Sequence, residues 1–450
     1  MEPTVSERIE NPLDGHYTIR SVLRFALPTI SMMMFMGLYT IGDTVIISRF
    51  INTDALSALN IITPVISIIV GLGGMLATGG SAIVARKMGE GCERCASQDF
   101  TLIVLSGICL GILIAVFGCI FVDSLIWRLG ASERLFRYCK EYLLVLLFFT
   151  PACMMQVLFQ NLMVTAGKPG FGMILSVIAG GVNVVLDYIF IVPLQMGIAG
   201  SALGTGIGYL IPTVVGTIFF MRTKGLLRFL KPVFDLRVLW ESVSNGFSEM
   251  VSQLAMSITT FLFNITMMHL LGEDGVAAIT IIIYTQFMLT ALYIGFSMGV
   301  APIFSYHYGS KNDDQLKNLF RICIRFICVS SVVVFIAAML FGPSLVMIFT
   351  PKNTTVYQFA RPGFRLFSVS FLFCGFNIFA SSMFTALSNG KVSAVISALR
   401  TFVFITLALL ILPRFLNVTG VWLSIPLAEM ITVFVSVGFI KRNKNRYHYI

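Results

Sequence analysis

Charge is what this 450-residue chain has least of: only 12% of its residues are Asp, Glu, Lys or Arg, about half the share usual in soluble domains. Polar stretches long enough to fold as a separate domain are missing too. No G-x-x-x-x-G-K-[ST] segment occurs, because Gly167-Lys168 is followed by Pro169, which excludes a nucleotide-driven machine built on that loop. Histidine is scarce, and His16, His269, His307 and His448 stand near the ends of apolar runs or in the tails. An enzyme embedded in a membrane needs clustered His, Cys or paired catalytic groups, so none is expected, nor is an organic cofactor.

What fills the chain instead is apolar. Hydrophobic residues make up 57% and the mean hydropathy is +0.90, a composition that belongs in a lipid bilayer. Apolar runs of about 20 residues, each able to cross a hydrocarbon core of roughly 30 Å, recur throughout. Twelve are read, over 22–48, 58–84, 98–124, 141–165, 171–193, 197–221, 240–270, 276–303, 322–348, 364–386, 392–412 and 418–440. The expected fold is an all-α polytopic membrane protein.

The first run is too long for a removable signal peptide and lacks a small-residue cleavage site, so the N-terminus is expected to be retained. Of 31 Lys and Arg residues, 21 fall on one side if both termini are cytoplasmic, nine fall on the other, and Arg400 lies within a run. That asymmetry predicts termini inside, in a cell membrane. The net charge of +10 is scattered over the connections, so it calls for no nucleic-acid partner. Cys92 and Cys95 form a lone C-x-x-C with no second pair, a weak zinc signal read as accidental.

The basic connection Arg222 to Arg237 divides the chain six runs and six. The reading is an N-terminal lobe at 1–221, a cytoplasmic linker at 222–239 and a C-terminal lobe at 240–450. An offset of 220 residues lays Gly79 on Gly299, Gly89 on Gly309, Thr165-Ala166 on Thr385-Ala386, Pro193 on Pro413 and Gly200 on Gly420. An even number of runs per repeat gives both the same sense in the membrane. The two six-helix lobes are then related by a pseudo-twofold along the membrane normal.

Two residues one turn apart, Asn183 and Asp187, lie deep in the fifth run. At i and i+4 they face one side of a helix, and a carboxylate there is costly without a cation or a proton. Gly200, Gly204 and Gly208 put a small-residue stripe on the sixth run, which would let Thr205 approach that pair.

The residues Tyr39-Thr-Ile-Gly-Asp43-Thr44, Ser48-Arg49-Phe50, Asp54-Ala-Leu-Ser-Ala58, Gln160-Asn161 through Gly167-Lys-Pro169, Gly180-Gly181-Val-Asn183-Val-Val-Leu-Asp187 and Gly197-Ile-Ala-Gly200-Ser-Ala-Leu-Gly204-Thr205 together resemble the multidrug and toxic compound extrusion (MATE) family, nearest its DinF-like and archaeal branch. The resemblance implies cation-coupled export of lipophilic, often cationic drugs, driven by H+ or Na+ and carried out by two rocking lobes. It implies a cation site at Asp43, Asn161, Asn183, Asp187 and Thr205. A lipid-linked oligosaccharide flippase of the same superfamily and a membrane channel are the alternative readings.

Met33, Met36, Asn264, Gln286, Asn377 and Glu249 are candidate contacts for substrate in a central cavity, Glu249 serving equally well as a helix contact. Arg400 and Glu429 stand at depths of about 12 and 18 Å on adjacent runs, which permits an intramembrane ion pair. The bilayer and small organic cations are the expected partners, and a monomer the expected state.

Overall fold

In the computed structural model the described residues are 11–223 and 225–450, without the side chains of Thr44, Val45, Ser48, Thr53 and Leu56. Thr44 and Ser48 of the first-run motif, and Lys224 of the linker, thus lie outside them. Every regular element described is helical. The N-terminal half contains α1 (Ile19–Phe50), α2 (Thr53–Gly89), α3 (Glu93–Arg128), α4 (Glu133–Phe148), α5 (Thr150–Thr165), α6 (Pro169–Ile191) and α7 (Gly197–Arg222). The C-terminal half contains α8 (Leu236–Gly309), α9 (Asp313–Phe349), α10 (Thr355–Phe367), α11 (Phe371–Ala386), α12 (Gly390–Ala398), α13 (Phe404–Leu416) and α14 (Val418–Tyr447).

Ten of these stretches are long and apolar enough to cross a membrane. One of them, α8, has 74 residues, roughly 110 Å of helix and so enough for two crossings. Its Gly272 (φ 67°, ψ −151°) departs from helical geometry, in a backbone region that glycine reaches without strain. The bent pair α4 and α5, at 56°, supplies a further crossing. With α8 divided at Gly272 and that pair added, the described residues hold twelve stretches able to cross, in the order read from the sequence.

The helices are longer than the apolar runs, because they continue into the interfacial layers and are capped there. Thr18, Asn52, Asn312 and Thr354 cap α1, α2, α9 and α10 by accepting backbone N–H bonds, as short polar side chains do at helix starts. Two crossings are less regular than expected. The tenth is interrupted by a 3-10 turn at Ser368–Ser370, and the eleventh by a π-turn at Leu399–Val403 that carries Arg400.

The offset of 220 residues holds in three dimensions. The left-handed residues Gly91 (φ 82°) and Lys311 (φ 54°) are counterparts, and so are Gly197 (φ 61°) and Asn417 (φ 48°). Gly89 lies against the Tyr306 carbonyl, while its counterpart Gly309 lies against the carbonyl of Arg86, itself the counterpart of Tyr306. Turn residues are thus matched across the repeat even where the side chains have diverged.

The apolar core shows where the halves join. Its largest cluster includes Phe100, Phe159 and Phe220 from one half and Phe296, Phe304 and Phe379 from the other, without a break between them. Elsewhere the core is two large clusters, one with Ile62, Leu143 and Ile198, the other with Phe263, Phe364 and Trp422, and a small one of Ile83, Leu102 and Val238. The shared cluster also takes in Leu13, Tyr17, Tyr447 and Tyr449 from the chain ends. The lobes are therefore fused on the terminal face, where the Asn318 amide donates to the Tyr17 carbonyl at 2.7 Å.

Candidate functional site

Four helices converge around Asp187. It stands on α6 with 0% exposure, and Asn183, one turn earlier, is also buried. Pro169 starts α6 at a position where its missing N–H costs nothing. Gly180 on the same helix lies under the rings of Phe35 and Tyr39, which brings α1 close enough for Asp43 to reach the layer of Asp187. The Asp43 and Asp187 carboxyls are in side-chain contact, with the Ser201 hydroxyl beside Asp43. On α7, Thr205 accepts a hydrogen bond from Asn183 Nδ2 at 3.2 Å, and the Tyr142 hydroxyl of α4 lies against Thr205.

The chemistry of this cluster is unbalanced. Both Asp187 oxygens and Asp43 Oδ1 are buried without a hydrogen-bond donor. No Lys or Arg forms an ion pair with either residue among the described contacts. Two carboxyls in contact cannot both stay ionised in a dry site, so the cluster calls for one positive charge, a shared proton or a small cation. Ser201 lies beside Asp43, and the bonded pair Asn183 and Thr205 stands one turn away along α6 and α7, so neutral oxygens of the kind that suit a hard cation are close by.

Gly204 sets the distance between α6 and α7. A Cβ at this position would strike Asp187 Oδ1 and approach the Asp187 backbone nitrogen at 3.1 Å. Gly204→Ala is therefore expected to displace the carboxylate and cut gradient-driven transport about tenfold while expression is retained. Transport assays beside a fluorescence size-exclusion profile check this.

Sequence reasoning missed Ser201, Tyr39 and Tyr142. A signal for the first was present: Ser201 and Thr205 are four residues apart and so share one face of α7. Tyr39 and Asp43 have the same spacing on α1. Tyr142 carried no such mark, since its approach depends on the bend at Phe149, whose ring packs against Gly206. Asn161 does not join the cluster. Its amide donates to the Val157 carbonyl of its own helix at 3.1 Å, and its neighbour Gln160 turns toward α6 to donate to Ser176 Oγ at 3.0 Å.

Between the lobes, α2 and α8 run side by side from the middle of the membrane to the terminal face. Ser67 and Ser257 are hydrogen-bonded at 2.7 Å, Gly71 meets Gln253 and Gly74 meets Glu249. Farther along, Gly79 faces the Ser242 carbonyl and Gly246 faces that of Met75. The path along this seam is closed by backbone against backbone.

Comparison with known proteins agrees with this architecture. The MatE family model matches twice, over residues 28–189 and 250–410, once in each half. The chain belongs to the MatE family. Similar curated relatives of this MatE protein are Multidrug export protein MepA of Staphylococcus haemolyticus strain JCSC1435, 24% identical over 95% of this chain and 94% of that protein, and MepA of Staphylococcus aureus strain MRSA252, at 24% with the same coverage. A crystal structure of MATE in complex with MaL6 matches with a TM-score of 0.92 at 22% identity, covering 99% of this chain and 100% of that one. An outward-facing conformation of a multidrug resistance MATE transporter matches with the same score, identity and coverage. The fold is thus that of the MATE transporters, two lobes related by pseudo-symmetry.

The C-lobe of this MatE protein is charged differently. At the counterparts of Asp43, Asn183 and Asp187 it has Phe263, Val403 and Leu407, so the carboxyl pair is not duplicated there. Besides Glu249, its charges deep in the crossings are Arg400 and Glu429, paired at 2.8 Å between Nε and Oε1. Asn377 is fully buried in the same network rather than facing a cavity. It donates to Glu429 Oε2 at 2.7 Å and accepts from Ser436 at 3.0 Å. Arg400→Gln leaves Glu429 buried and uncompensated, which costs about 3 kcal/mol. Thermal unfolding in detergent should show that loss, and Arg400→Gln/Glu429→Gln should recover most of it.

The other candidates are dispersed. Glu249 receives Gln253 Nε2 at 3.2 Å and packs on Gly74, so it lies in the seam between α2 and α8. Asn264 keeps a buried, unpartnered Oδ1. Met36 accepts a weak contact from Gln160 Nε2 at 3.9 Å, and Met33 and Gln286 are half-buried. Cys92 and Cys95, read as accidental, are disulfide-bonded at the start of α3.

Proposed function

We propose that this protein is a secondary active exporter of lipophilic, often cationic compounds, exchanging them for H+ or Na+ at the Asp43, Asn183, Asp187 and Thr205 cluster. The observation that carries the reading is the contact of two buried carboxyls with no donor on either Asp187 oxygen. Such a pair binds one positive charge in one state and releases it in another. Direct carboxyl-to-carboxyl contact favours a proton over sodium as that charge. The drug class rests on the MepA relatives, which are named for multidrug export, and the placement in the DinF-like branch rests on the site residues alone.

Entry of the cation would repack α1, α6 and α7, weaken drug binding and favour opening of the terminal face. In this reading the termini are cytoplasmic, the described state opens outward, the chain acts as a monomer in the cell membrane, and no catalytic reaction is involved. The test is efflux of a fluorescent lipophilic cation from proteoliposomes under separately imposed pH and sodium gradients. Exchange driven by either gradient supports the proposal. Efflux that follows neither, or conductance without exchange, overturns it.

A further inference from the structure

The two halves each bear a surface cavity at equivalent positions on the face opposite the N-terminal segment, and the two differ in charge. The N-lobe cavity, about 300 Å³, is lined by Phe136, Arg137, Lys140, Glu141 and Leu144. Its cations are neutralised: Arg137 Nε pairs with Glu141 at 2.8 Å and Lys140 Nζ with Asp123 at 2.7 Å. The C-lobe cavity, about 800 Å³, is lined by Lys352, Tyr357, Gln358, Arg361, Arg365 and Leu366. The offset of 220 residues puts Arg361 where the N-lobe has Glu141. No Asp or Glu occurs anywhere between Asp314 and Glu429, and none of the described ion pairs involves Lys352, Arg361 or Arg365.

Helix α10 fixes where this charge sits. Its buried face is Tyr357, Ala360, Phe364 and Phe367, so Arg361 and Arg365, one turn apart, project from the opposite side and are exposed. α10 is the end of the tenth crossing remote from Ala386, so Arg361 and Arg365, about 30 to 40 Å of helix from that residue, stand at headgroup depth. Guanidinium groups grip phosphate oxygens in paired hydrogen bonds, and Lys352 adds a third cation. The volume falls within the roughly 300–1,000 Å³ usual for small-ligand sites, and Leu366 offers an apolar wall to glycerol or acyl carbons.

We propose that this cavity binds the phosphate headgroup of an anionic phospholipid. Free phosphate shares the recognition chemistry, but only the lipid combines it with an apolar tail at this depth. The test titrates the purified full chain in detergent with short-chain phosphatidylglycerol, phosphatidylcholine and inorganic phosphate. Saturable binding of phosphatidylglycerol is expected, with about a twenty-five-fold loss in Arg361→Gln/Arg365→Gln, near fivefold for each cation removed. Arg361→Glu, which restores the N-lobe acid at this position and sets it one turn from Arg365, should abolish it, while Arg137→Gln should leave it unchanged. Unaltered phosphatidylglycerol binding in both C-lobe variants overturns the proposal, as does inorganic phosphate binding as tightly as the lipid.

Discussion

Asp187→Asn is expected to lower gradient-driven efflux by about 100-fold, the upper range for the loss of a coupling interaction between two sites, with expression and drug binding close to wild type. The reason is local. An amide in place of the carboxyl keeps the shape and can accept or donate to its neighbours, so packing against Gly204 survives. What disappears is the pair of acids in contact on α1 and α6, and with it the need for one positive charge. Asp43→Asn should give the same phenotype, and the double variant should be no worse than either single one, because one acid without its partner already fails to couple. Efflux measured against a counted number of transporters in proteoliposomes, alongside drug binding to purified protein, checks both parts. Near-normal exchange by Asp187→Asn would sink the assignment.

The second large effect is expected at Gly246, where a side chain would land on the Met75 carbonyl and approach the Gly79 nitrogen at 2.9 Å. These are backbone atoms of α2, and no change of rotamer moves them away. Gly246→Leu should therefore prevent α2 and α8 from closing and hold the terminal face open. Transport should fall by about tenfold or more, since a machine held in one state completes no cycle. Cysteines placed on the seam between α2 and α8 should gain reactivity toward a membrane-impermeant maleimide from the terminal side in this variant. Unchanged labelling would mean that the seam is not the closure.

The number and order of the crossings were legible because the bilayer imposes a length on every apolar run, and that length survives sequence divergence. The repeat was legible in turn and breaker residues such as Gly89 with Gly309 and Pro193 with Pro413, while the shared positive φ of Gly197 and Asn417 appears only in the structure. Asn183 and Asp187 were visible because an acid in an apolar run is conspicuous. Tyr142 was not, as an aromatic residue in a membrane helix attracts no notice until the bend between α4 and α5 aims it. Asn161 illustrates the converse error. The resemblance placed it in the site, while its amide is committed to its own helix and its neighbour Gln160 makes the contact between helices. The pairing of Arg400 with Glu429 followed from depth alone, but the capture of Asn377 by that pair depended on a rotation about the α11 axis that no spacing rule supplies.

The duplicated fold holds its acidic pair once, since Phe263, Val403 and Leu407 occupy the corresponding C-lobe positions. Stoichiometry then follows from counting charges. In the proposed cycle one monovalent ion would enter for each turnover, so export of a singly charged drug would move no net charge across the bilayer. Membrane voltage would do no work on that exchange, and the chemical gradient of the ion alone would set how far the drug is concentrated outside. A neutral drug would make the same cycle electrogenic, and a dication would reverse the sign of the current.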